Sequence, residues 1–450
     1  MSENEALPES VEEPYPSEKY SWFVVSILLI AYIFSFIDRQ ILGFLVGPMK
    51  EDLGISDNHM ALLGGFSFAV FYTIFGIPLG RLADSKSRRT IIAVGLAVWS
   101  LMSMGCGIAK NFATLAMFRM GVGVGEASLS PSAYSLITDL FKPNRIALAI
   151  SVYGAGIYIG SGLAYLVGGI VVSFVGDAEF VTLPIIGDVK PWQSVFFYIG
   201  LPGLMFVPFM FLIKEPKRRG LGKNANAESV PLPEVFAYVK ANWRTFFFHN
   251  VGFAFLSFIG YGSAFWIVEF FVRTHDMARG DIGKIYGVIV IVVGTLGIIS
   301  GGFFADKLRE RGYADSKMRV GLIAALCHIP LGLAFPLMPN STLAFIVLCP
   351  AVYTAAMPFG VAPAAIQEMM PNRMRGQASA IYLFVVNMIG MGLGPNAVSF
   401  FTVNVFHDDS KLNWSLAIVS TVAGLLASFL LWKGMAQFRK SMETKEAMDA

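Results

Sequence analysis

Four ionisable residues interrupt stretches of the chain that are otherwise strongly apolar: Asp38, Arg39, Arg119 and Glu126. A charged side chain at the centre of a membrane helix costs about 2.5–3.5 kcal/mol on insertion scales. A carboxyl group there can exchange a proton, since desolvation favours its neutral form and a neighbouring arginine favours its ionised form. The pattern predicts proton exchange at Asp38 and Glu126, with Arg39 and Arg119 as partners or as ligands for an anionic group. The alternative is a buried structural ion pair, either Asp38 with Arg119 or Arg39 with Glu126.

These charges lie in a chain whose composition excludes a soluble protein. Of its 450 residues, 55% are apolar and only 14% are charged, whereas about a quarter of the residues in a soluble domain are charged. Cys106, Cys327 and Cys349 each lie in an apolar stretch, so they indicate neither a disulfide framework nor a metal site. The net charge of +3 gives no reason to expect a nucleic-acid partner. We therefore expect an integral membrane protein.

Twelve apolar segments are long enough, at about 20 residues, to cross the hydrocarbon core of a bilayer as helices. We number them spans 1 to 12. Spans 1 to 6 cover residues 21–47, 58–82, 89–109, 112–138, 145–173 and 192–213. Spans 7 to 12 cover residues 243–272, 281–306, 318–337, 341–368, 373–402 and 412–437. The sequence thus predicts an all-α integral membrane protein with twelve transmembrane helices.

Lysine and arginine residues predict the orientation of these spans. Of the 34 basic residues, 24 follow an even-numbered span and only seven follow an odd-numbered one. Cytoplasmic loops carry the excess of basic residues in membrane proteins, so both termini are predicted to be cytoplasmic. Residues 1–20 are acidic and span 1 is too long for a signal peptide, so we expect it to remain as a membrane helix.

An internal repeat divides the spans into two sets of six. Gly-Arg-Leu-Ala-Asp at 80–84 recurs as Gly-Phe-Phe-Ala-Asp at 302–306, and Pro-Asn-Arg at 143–145 recurs at 371–373. The offsets of 222 and 228 residues agree with one duplication. The predicted parts are an N-terminal tail (1–20), a first half (21–213), an inter-half loop (214–242), a second half (243–437) and a C-terminal tail (438–450). The tails and the loop are predicted to be cytoplasmic.

The segment Gly80-x-Leu-Ala-Asp-Ser-Lys-Ser-Arg-Arg89 resembles the signature loop between helices 2 and 3 of the major facilitator superfamily. Ser87 stands where that loop usually has a glycine. The resemblance implies the major facilitator fold, in which two six-helix halves are related as repeats. In this fold spans 1 and 4 line a central cavity, so the four buried charges can share one site.

Within the superfamily the sequence is most similar to the spinster-type lipid transporters. Four segments carry this likeness: 38–39, 123–128, 139–141 and 160–165. Ser35-Phe36 replaces the Asn-Tyr that the spinster pattern has before x-Asp-Arg. This departure bears on substrate specificity more than on mechanism.

Acidic residues end spans 2 and 8 at the predicted cytoplasmic face. Asp84 is followed by Arg88 and Arg89, and Asp306 is also followed by basic residues. An aspartate here can pair with a base or with the positive N-terminus of a neighbouring helix. The resemblance implies that Asp84 and these arginines close the inner side of the cavity. For Asp306, a gate and a solvated loop are equally open interpretations.

Glu269 and Arg273 lie four residues apart at the outer end of span 7. This spacing predicts an exposed ion pair on one face of the helix, with an external gate as the alternative.

Aromatic residues in spans 1 and 7 are candidates for the lining of the cavity: Phe34, Phe36, Tyr261 and Trp266. Beside Arg39 they suit an amphipathic molecule, since its apolar tail would pack on the rings while a charged head bound the arginine.

Glycines recur in spans 5 and 11, which are equivalent in the two halves: Gly154, Gly156, Gly160, Gly162, Gly390, Gly392 and Gly394. Small residues let helices approach closely. These glycines have two interpretations: positions of static helix packing, or a contact on which the two halves rock.

These observations together predict a proton-coupled secondary transporter of an amphipathic solute, working by alternating access of two rocking halves. The resemblance implies lipid-like cargo such as lysophospholipids or sphingoid phosphates. Another organic anion, a sugar acid or a drug as cargo, an uncoupled facilitator and a transporter-derived sensor are the alternatives.

Primary ATP-driven transport is not expected, because the chain has no Walker motif. An enzyme is not expected either, because the histidines are scattered without the spacing of metal ligands. His249 and His328, which lie within spans, are interpreted as packing residues. We expect no metal and no cofactor, with the proton gradient as the energy source. The expected partners are the lipid bilayer and a small amphipathic substrate, with no nucleic acid. The protein is expected to act as a monomer in a bacterial inner membrane.

Overall fold

The computed structural model describes residues 14–175, 178–218, 232–371 and 374–449, which are almost entirely helical. The α-helices of the first half are Glu18–Phe44, Val46–Leu53, Asp57–Ala61, Ser67–Ser85, Arg88–Cys106, Phe112–Glu126, Leu129–Leu140, Pro143–Gly154, Gly156–Val175 and Pro191–Met210. The α-helices that follow are Leu232–Ala241, Trp243–His275, Arg279–Ile289, Thr295–Glu310, Ser316–Ala334, Ser341–Ala356, Pro358–Met369, Arg375–Val386, Gly394–Phe400 and Leu412–Asp449. A short antiparallel hairpin pairs Val181–Leu183 with Gly187–Val189.

Within the described residues, eleven helical segments are long and apolar enough to cross a membrane, and they correspond to every predicted span except the fourth. Span 4 is divided into Phe112–Glu126 and Leu129–Leu140. Pro131 explains the division, because proline has no N–H to donate to the carbonyl of Ala127 and its ring clashes there. Glu126 therefore lies at the end of a helix. The count of twelve spans and the cytoplasmic position of the termini stay predictions.

Irregular turns recur at equivalent places in the two halves. Spans 2 and 8 contain π-helical turns, Leu62–Phe66 and Val290–Gly294, which begin 228 residues apart. Spans 4 and 10 are both interrupted, before Leu129 and before Pro358. Such π-helical turns are rare and are often found at functional sites. The offset of 228 residues is also that of the repeated Pro-Asn-Arg motif, so the recurrence of these turns agrees with one duplication.

The apolar core forms one cluster largely within each half, a third that both halves share and a small fourth at the hairpin between spans 5 and 6. The shared cluster includes Phe44 and Tyr165 from the first half and Phe265 and Phe270 from the second. It lies towards the end of the bundle where span 1 connects to span 2. We call this the outer end, following the predicted orientation. The two halves are thus packed together at the outer end.

Spans 5 and 8 approach each other so closely that glycine is required at their contact. A β-carbon on Gly162 would lie 2.5 Å from the main-chain oxygen of Gly287, closer than packed atoms come. A β-carbon on Gly154 of the same span would meet no atom within 4 Å. The glycines of span 5 are therefore not equivalent, and Gly162 lies where the two halves meet.

Three segments differ from the sequence prediction. The helix Leu232–Ala241 lies within the predicted inter-half loop 214–242. The last helix, Leu412–Asp449, continues through most of the predicted tail 438–450. The hairpin between spans 5 and 6 was not predicted either, because two three-residue strands give too short a pattern to recognise.

Candidate functional site

Glu126 and Arg39 form a buried ion pair between spans 4 and 1. Arg39 Nε donates to Glu126 Oε2 over 2.5 Å, and Ser35 Oγ donates to the same oxygen over 2.7 Å. Glu126 is fully buried, and its Oε1 has no hydrogen-bond partner among the described residues. Of the two ion pairs that the sequence left open, the structure contains this one.

Asp38 and Arg119 lie next to this pair without forming the other. Arg119 Nη1 donates to the main-chain oxygen of Asp38 over 3.0 Å, whereas the Asp38 carboxylate accepts from Ser103 Oγ over 2.5 Å. Arg119 is fully buried, and its Nε and Nη2 have no hydrogen-bond partner in the described part of the chain. The four charges therefore share one region, which we call the four-charge site, but Asp38 is held by a neutral hydroxyl.

Aromatic rings surround the guanidinium group of Arg39. Its central carbon lies 4.8 Å from the ring centre of Phe36, 5.1 Å from that of Phe68 and 4.5 Å from that of Tyr72. Cation–π contacts of this kind stabilise a desolvated charge. Arg39 can thus remain charged inside the bundle even when its carboxylate partner is neutralised.

An apolar cavity of about 90 Å³ lies between the halves, beside the four-charge site. Spans 1 and 5 line it from the first half, and spans 7 to 10 line it from the second. Phe36 and Tyr261 line the cavity, and Tyr261 is close enough to Arg39 to interact with its charge. His328, interpreted from the sequence as a packing residue, also lies in the wall.

The other two aromatic candidates pack elsewhere. The ring of Phe34 lies 5.7 Å from that of Phe206 in span 6. Trp266 is fully buried, and its Nε1 donates to the main-chain oxygen of Pro395 over 2.9 Å. Neither residue is part of the cavity wall.

Glu269 and Arg273 belong to a network that joins the halves at the outer end. Arg273 donates to both carboxylate oxygens of Asp57, over 2.6 and 2.9 Å, and to Glu269 over 3.1 Å. Glu269 also pairs with Arg279 and accepts from the amide of Gly47 over 2.8 Å. The expected exposure of this pair is wrong, because Glu269 is only 2% exposed. The reason is that span 2 brings Asp57 against the end of span 7.

At the opposite end, Arg88 and Arg89 bind groups of the first half and of the segment that follows it. Arg88 is fully buried and pairs with Asp139, and with Glu215 over 2.7 Å. Arg89 donates to the main-chain oxygen of Ile213 over 3.0 Å. These contacts hold the predicted inner end of the first half together and do not reach the second half.

The other two gate candidates, Asp84 and Asp306, lie at the ends of spans 2 and 8. The side chain of Asp84 lies outside the described residues. Asp306 is exposed at the end of span 8, close enough to Lys317 to interact with its charge.

Glu215 caps the N-terminus of span 3. Its carboxylate accepts hydrogen bonds from the amides of Arg88 and Arg89, over 3.2 and 3.1 Å, and from Ser87 Oγ over 2.9 Å. Burial raises the pKa of the Glu215 carboxyl, but the hydrogen bonds from Arg88, Arg89 and Ser87 lower it more, so the net pKa is below its usual value. The ionised carboxylate also offsets the positive end of the helix.

Several residues that complete these sites gave little signal in the sequence: Asp57, Phe68, Ser103, Glu215 and Arg279. A serine in an apolar span is too common to single out, and charges at span ends are ordinary. In the described part of the chain, no group of three His, Cys, Asp or Glu side chains could hold a metal ion.

Known proteins resemble this chain over most of its length. The family profile of the Major Facilitator Superfamily matches residues 28–395. An MFS-type efflux pump of Mycolicibacterium smegmatis is 26% identical over 440 residues, which cover 94% of each chain. Protein spinster of Drosophila melanogaster is 26% identical over 427 residues, covering 90% of this chain and 66% of that protein.

Solved structures also resemble this chain over most of its length. A bacterial homologue of the human lysosomal transporter spinster, in an inward-facing and unoccupied conformation, aligns with a TM-score of 0.76 and 26% identity, covering 95% of this chain and 98% of that one. A D-xylose–proton symporter shares the fold, with a TM-score of 0.67 at 18% identity over 91% of this chain and 97% of that one. These comparisons confirm the resemblance that the motifs at 38–39 and 123–128 indicated.

Proposed function

This chain belongs to the Major Facilitator Superfamily, and from that premise we propose that it couples proton movement to the transport of an amphipathic solute. It is a multi-pass membrane transporter of the spinster type, with the alternating-access fold of its family. The four-charge site, the apolar cavity and the closed outer end each support one part of this proposal.

The observation that carries the proposal is the buried pair of Glu126 and Arg39. Ionised Glu126 is satisfied at Oε2 only, and a charged oxygen buried without a partner is costly. A proton on Oε1 removes that cost and weakens the attraction for Arg39. The guanidinium group, still held by its aromatic neighbours, is then free to bind an anionic group. Proton binding and solute binding at this site are therefore linked.

Asp38 is proposed as the second proton-exchanging group of the site. Its carboxylate has only the hydroxyl of Ser103 as a described side-chain donor. Arg119, anchored on the main chain of Asp38 with two nitrogens unpaired, has donors to spare for an incoming anion.

Phe36 connects the charged and apolar parts of the proposed binding site. It packs against Arg39 and also lines the apolar cavity, so a head group at Arg39 and a tail in the cavity would be contiguous. A drug-sized ligand needs a pocket of roughly 300–1,000 Å³. The cavity of about 90 Å³ is smaller, so the halves must separate for a solute to enter.

Ion pairs at the outer end support alternating access. Asp57 and Arg273 join spans 2 and 7 across the halves, and Glu269 and Arg279 reinforce the contact. In the proposed cycle this network is the external gate. The proposed internal gate is formed by Asp84, Arg88, Arg89 and Asp306.

The remaining parts of the proposal follow from the chemistry of the site. The proton gradient is the energy source, and no cofactor takes part. The cargo is lipid-like, such as a lysophospholipid or a sphingoid phosphate. The protein works as a monomer in a bacterial inner membrane.

Flux in proteoliposomes tests proton coupling, with a labelled lysophospholipid as the solute and an imposed proton gradient. We expect the gradient to drive flux through the wild-type protein. Glu126→Gln keeps the shape of the side chain but cannot exchange a proton, so it should bind the solute and lose the response to the gradient.

Asp315→Asn is the matched control. Asp315 is fully buried and paired with Arg319 and Arg439, but it lies in the second half away from the cavity. This variant should respond to the gradient as the wild type does. Equal flux through wild type and Glu126→Gln, with or without the gradient, would show instead that the protein is an uncoupled facilitator.

Export of an amphipathic drug is a second candidate function. The similarity to an MFS-type efflux pump over 94% of both chains favours it. An amphipathic cationic dye in the same assay separates the two cargo classes. Gradient-driven flux of the dye without flux of the lysophospholipid would show that the cargo is a drug and not a lipid.

A further inference from the structure

The hairpin between spans 5 and 6 has no part in the proposed transport cycle. On its buried face, Leu183 and Val189 form an apolar cluster with Phe197 of span 6. Met104 of span 3 packs against this cluster. The helix of span 6 begins at Pro191, so Phe197 lies about 9 Å along its axis at a rise of ~1.5 Å per residue. The hairpin therefore lies against the sides of spans 3 and 6, at the level of their outer turns.

The helix faces that contact the hairpin continue into the lipid-facing surface of the protein. Leu101 lies three residues before Met104 in span 3, and Leu201 lies four residues after Phe197 in span 6, so each shares a helix face with a residue of the hairpin cluster. Leu101 is 48% exposed and Leu201 is 47% exposed. Exposed apolar side chains on membrane-spanning helices contact lipid. The surroundings of the hairpin are therefore those of the bilayer.

The turn of the hairpin exposes large apolar side chains. Ile185 is fully exposed, and its neighbour Ile186 is 43% exposed. Phe180, which directly precedes the first strand, is 49% exposed. The Nζ atom of Lys190, directly after the second strand, lies 4.4 Å from the centre of the Phe180 ring. Apolar groups thus gather at the end and along one edge of the hairpin, as they do at contact surfaces.

Isoleucine is unfavourable for the backbone at position 185. Its φ of 73° lies in the left-handed region, where a β-branched side chain clashes with the main chain. Glycine and asparagine are the residues that suit such a turn position, and both also suit water better than isoleucine does. The chain therefore has a strained and fully exposed apolar residue at the turn. Apolar surroundings explain this choice, because they favour the isoleucine side chain over a polar one.

We propose that the tip of this hairpin, Ile185 and Ile186, inserts into the outer leaflet of the bilayer beside spans 3 and 6. The tip lies at the boundary between head groups and acyl chains, where interfacial anchors bury their apolar residues. The exposed polar side chains of the two strands satisfy each other, since Thr182 Oγ1 donates to Asp188 Oδ1 over 2.5 Å. This hydrogen bond lowers the cost of moving the hairpin out of water. The hairpin thus anchors the outer ends of spans 5 and 6 in the leaflet.

Fluorescence quenching tests the location of the tip. Ile185→Cys is labelled with bimane in a full chain whose three native cysteines are replaced by serine, in nanodiscs with and without brominated phosphatidylcholine. Labels at Leu201, on the lipid-facing side of span 6, and at Glu51, which is exposed at the outer end, are the references. We expect brominated lipid to quench the label at position 185 as strongly as the label at position 201. Iodide in the buffer should quench it less than the label at position 51.

Two results would overturn the proposal. A label at position 185 that iodide quenches as it does at Glu51, and that brominated lipid does not quench, would place the tip in water. A label that neither agent quenches would mean that protein covers the tip, such as a second copy of this chain.

A second reporter leaves the tip free of label. Bimane at Thr182→Cys, in the first strand, reports the position of the hairpin while residue 185 is varied. Ile185→Asn suits the left-handed backbone but is polar, so the quenching of this label by brominated lipid should be largely lost. Ile185→Leu is the matched control, which keeps an apolar tip and should keep the quenching. Equal quenching with isoleucine, leucine and asparagine at position 185 would show that the apolar tip does not hold the hairpin in the leaflet.

Discussion

At the scale of the residue, the pairing of charges decides what the site can do. Asp38 and Arg39 are adjacent in sequence, so their side chains leave span 1 about 100° apart and only one can face Glu126 directly. The sequence identifies all four charges because each is unusual in a membrane helix. It does not predict the pairing, since the rotation of span 1 against its neighbours depends on packing contacts such as Gly160 of span 5 against Ile33.

Glu215 gives a residue-scale prediction of pH dependence. Its pKa is lowered in the folded protein, so its contribution to stability is present above the unfolded pKa of about 4.3 and is lost as pH falls through the lower folded value. Glu215→Gln should destabilise the protein at pH 7 by about 1 kcal/mol, the usual cost of losing a helix cap. The difference between the melting temperatures of the two proteins should shrink as pH falls below about 4.3 and vanish only below the lower folded pKa of Glu215.

Glu51→Gln is the control for this measurement, because Glu51 is exposed. It should melt like the wild type at both pH values. A destabilisation by Glu215→Gln that is the same at low and neutral pH would mean that the carboxylate charge is not the cause.

At the scale of the element, helix contacts determine where the two halves can move. Spans 5 and 8 touch through Gly162 and Gly287. The sequence showed glycines along span 5 but not which of them face the other half, because a helix with small residues on several faces has no single preferred partner. The break in span 4 was likewise missed, although Pro131 was a visible signal for it.

A substitution at this contact should prevent the outer end from closing. Gly162→Ala places a methyl group 2.5 Å from the Gly287 oxygen, so spans 5 and 8 must move apart. Spin labels at the exposed positions Glu51 and Asp281, one in each half, should report a longer distance than in the wild type.

Gly154→Ala is the matched control in the same span, since a β-carbon there meets no atom within 4 Å. It should leave the distance between the labels unchanged. If Gly162→Ala also leaves it unchanged, the contact between spans 5 and 8 does not limit closure.

At the scale of the whole molecule, ion pairs join the two halves at the outer end, and in the proposed cycle they set the balance between its closed and open states. Asp57 has no exposed side-chain surface and Arg273 only 13%, so this pair is largely removed from water. Removing Arg273 leaves Asp57 with Lys50, 3.1 Å away, and Glu269 with Arg279. The cost is therefore below the about 3–5 kcal/mol of a buried charge left without any partner. The fold class and the two halves were predictable from composition and repeats. This network was not, because its members come from spans that are distant in sequence.

Arg273→Asp should therefore open the outer end. A cysteine at Gln40 in the cavity wall, in a variant without Cys106, Cys327 and Cys349, reports access from the outside through its labelling by an impermeant maleimide. We expect labelling to become more than about tenfold faster, because the loss of the pair disfavours only the closed state.

The charge-swapped double variant Asp57→Arg with Arg273→Asp should slow the labelling again. Lys284→Gln is the control, because the Lys284–Asp281 pair is exposed and lies within one helix. Slow labelling in Arg273→Asp would mean that the Asp57–Arg273 pair is not needed for closure.

The location of the four-charge site has a further consequence for the speed of transport. All four residues of the four-charge site belong to the first half. A rocking motion of the two halves therefore breaks none of the contacts within the site. In the proposed cycle the activation barrier to opening resides in the outer network, whereas the coupling ion is selected at the four-charge site. The proposal therefore predicts that separate residues control turnover number and ion selectivity. Evolution can retune the rate at Asp57 or Arg273 while the coupling ion stays the same.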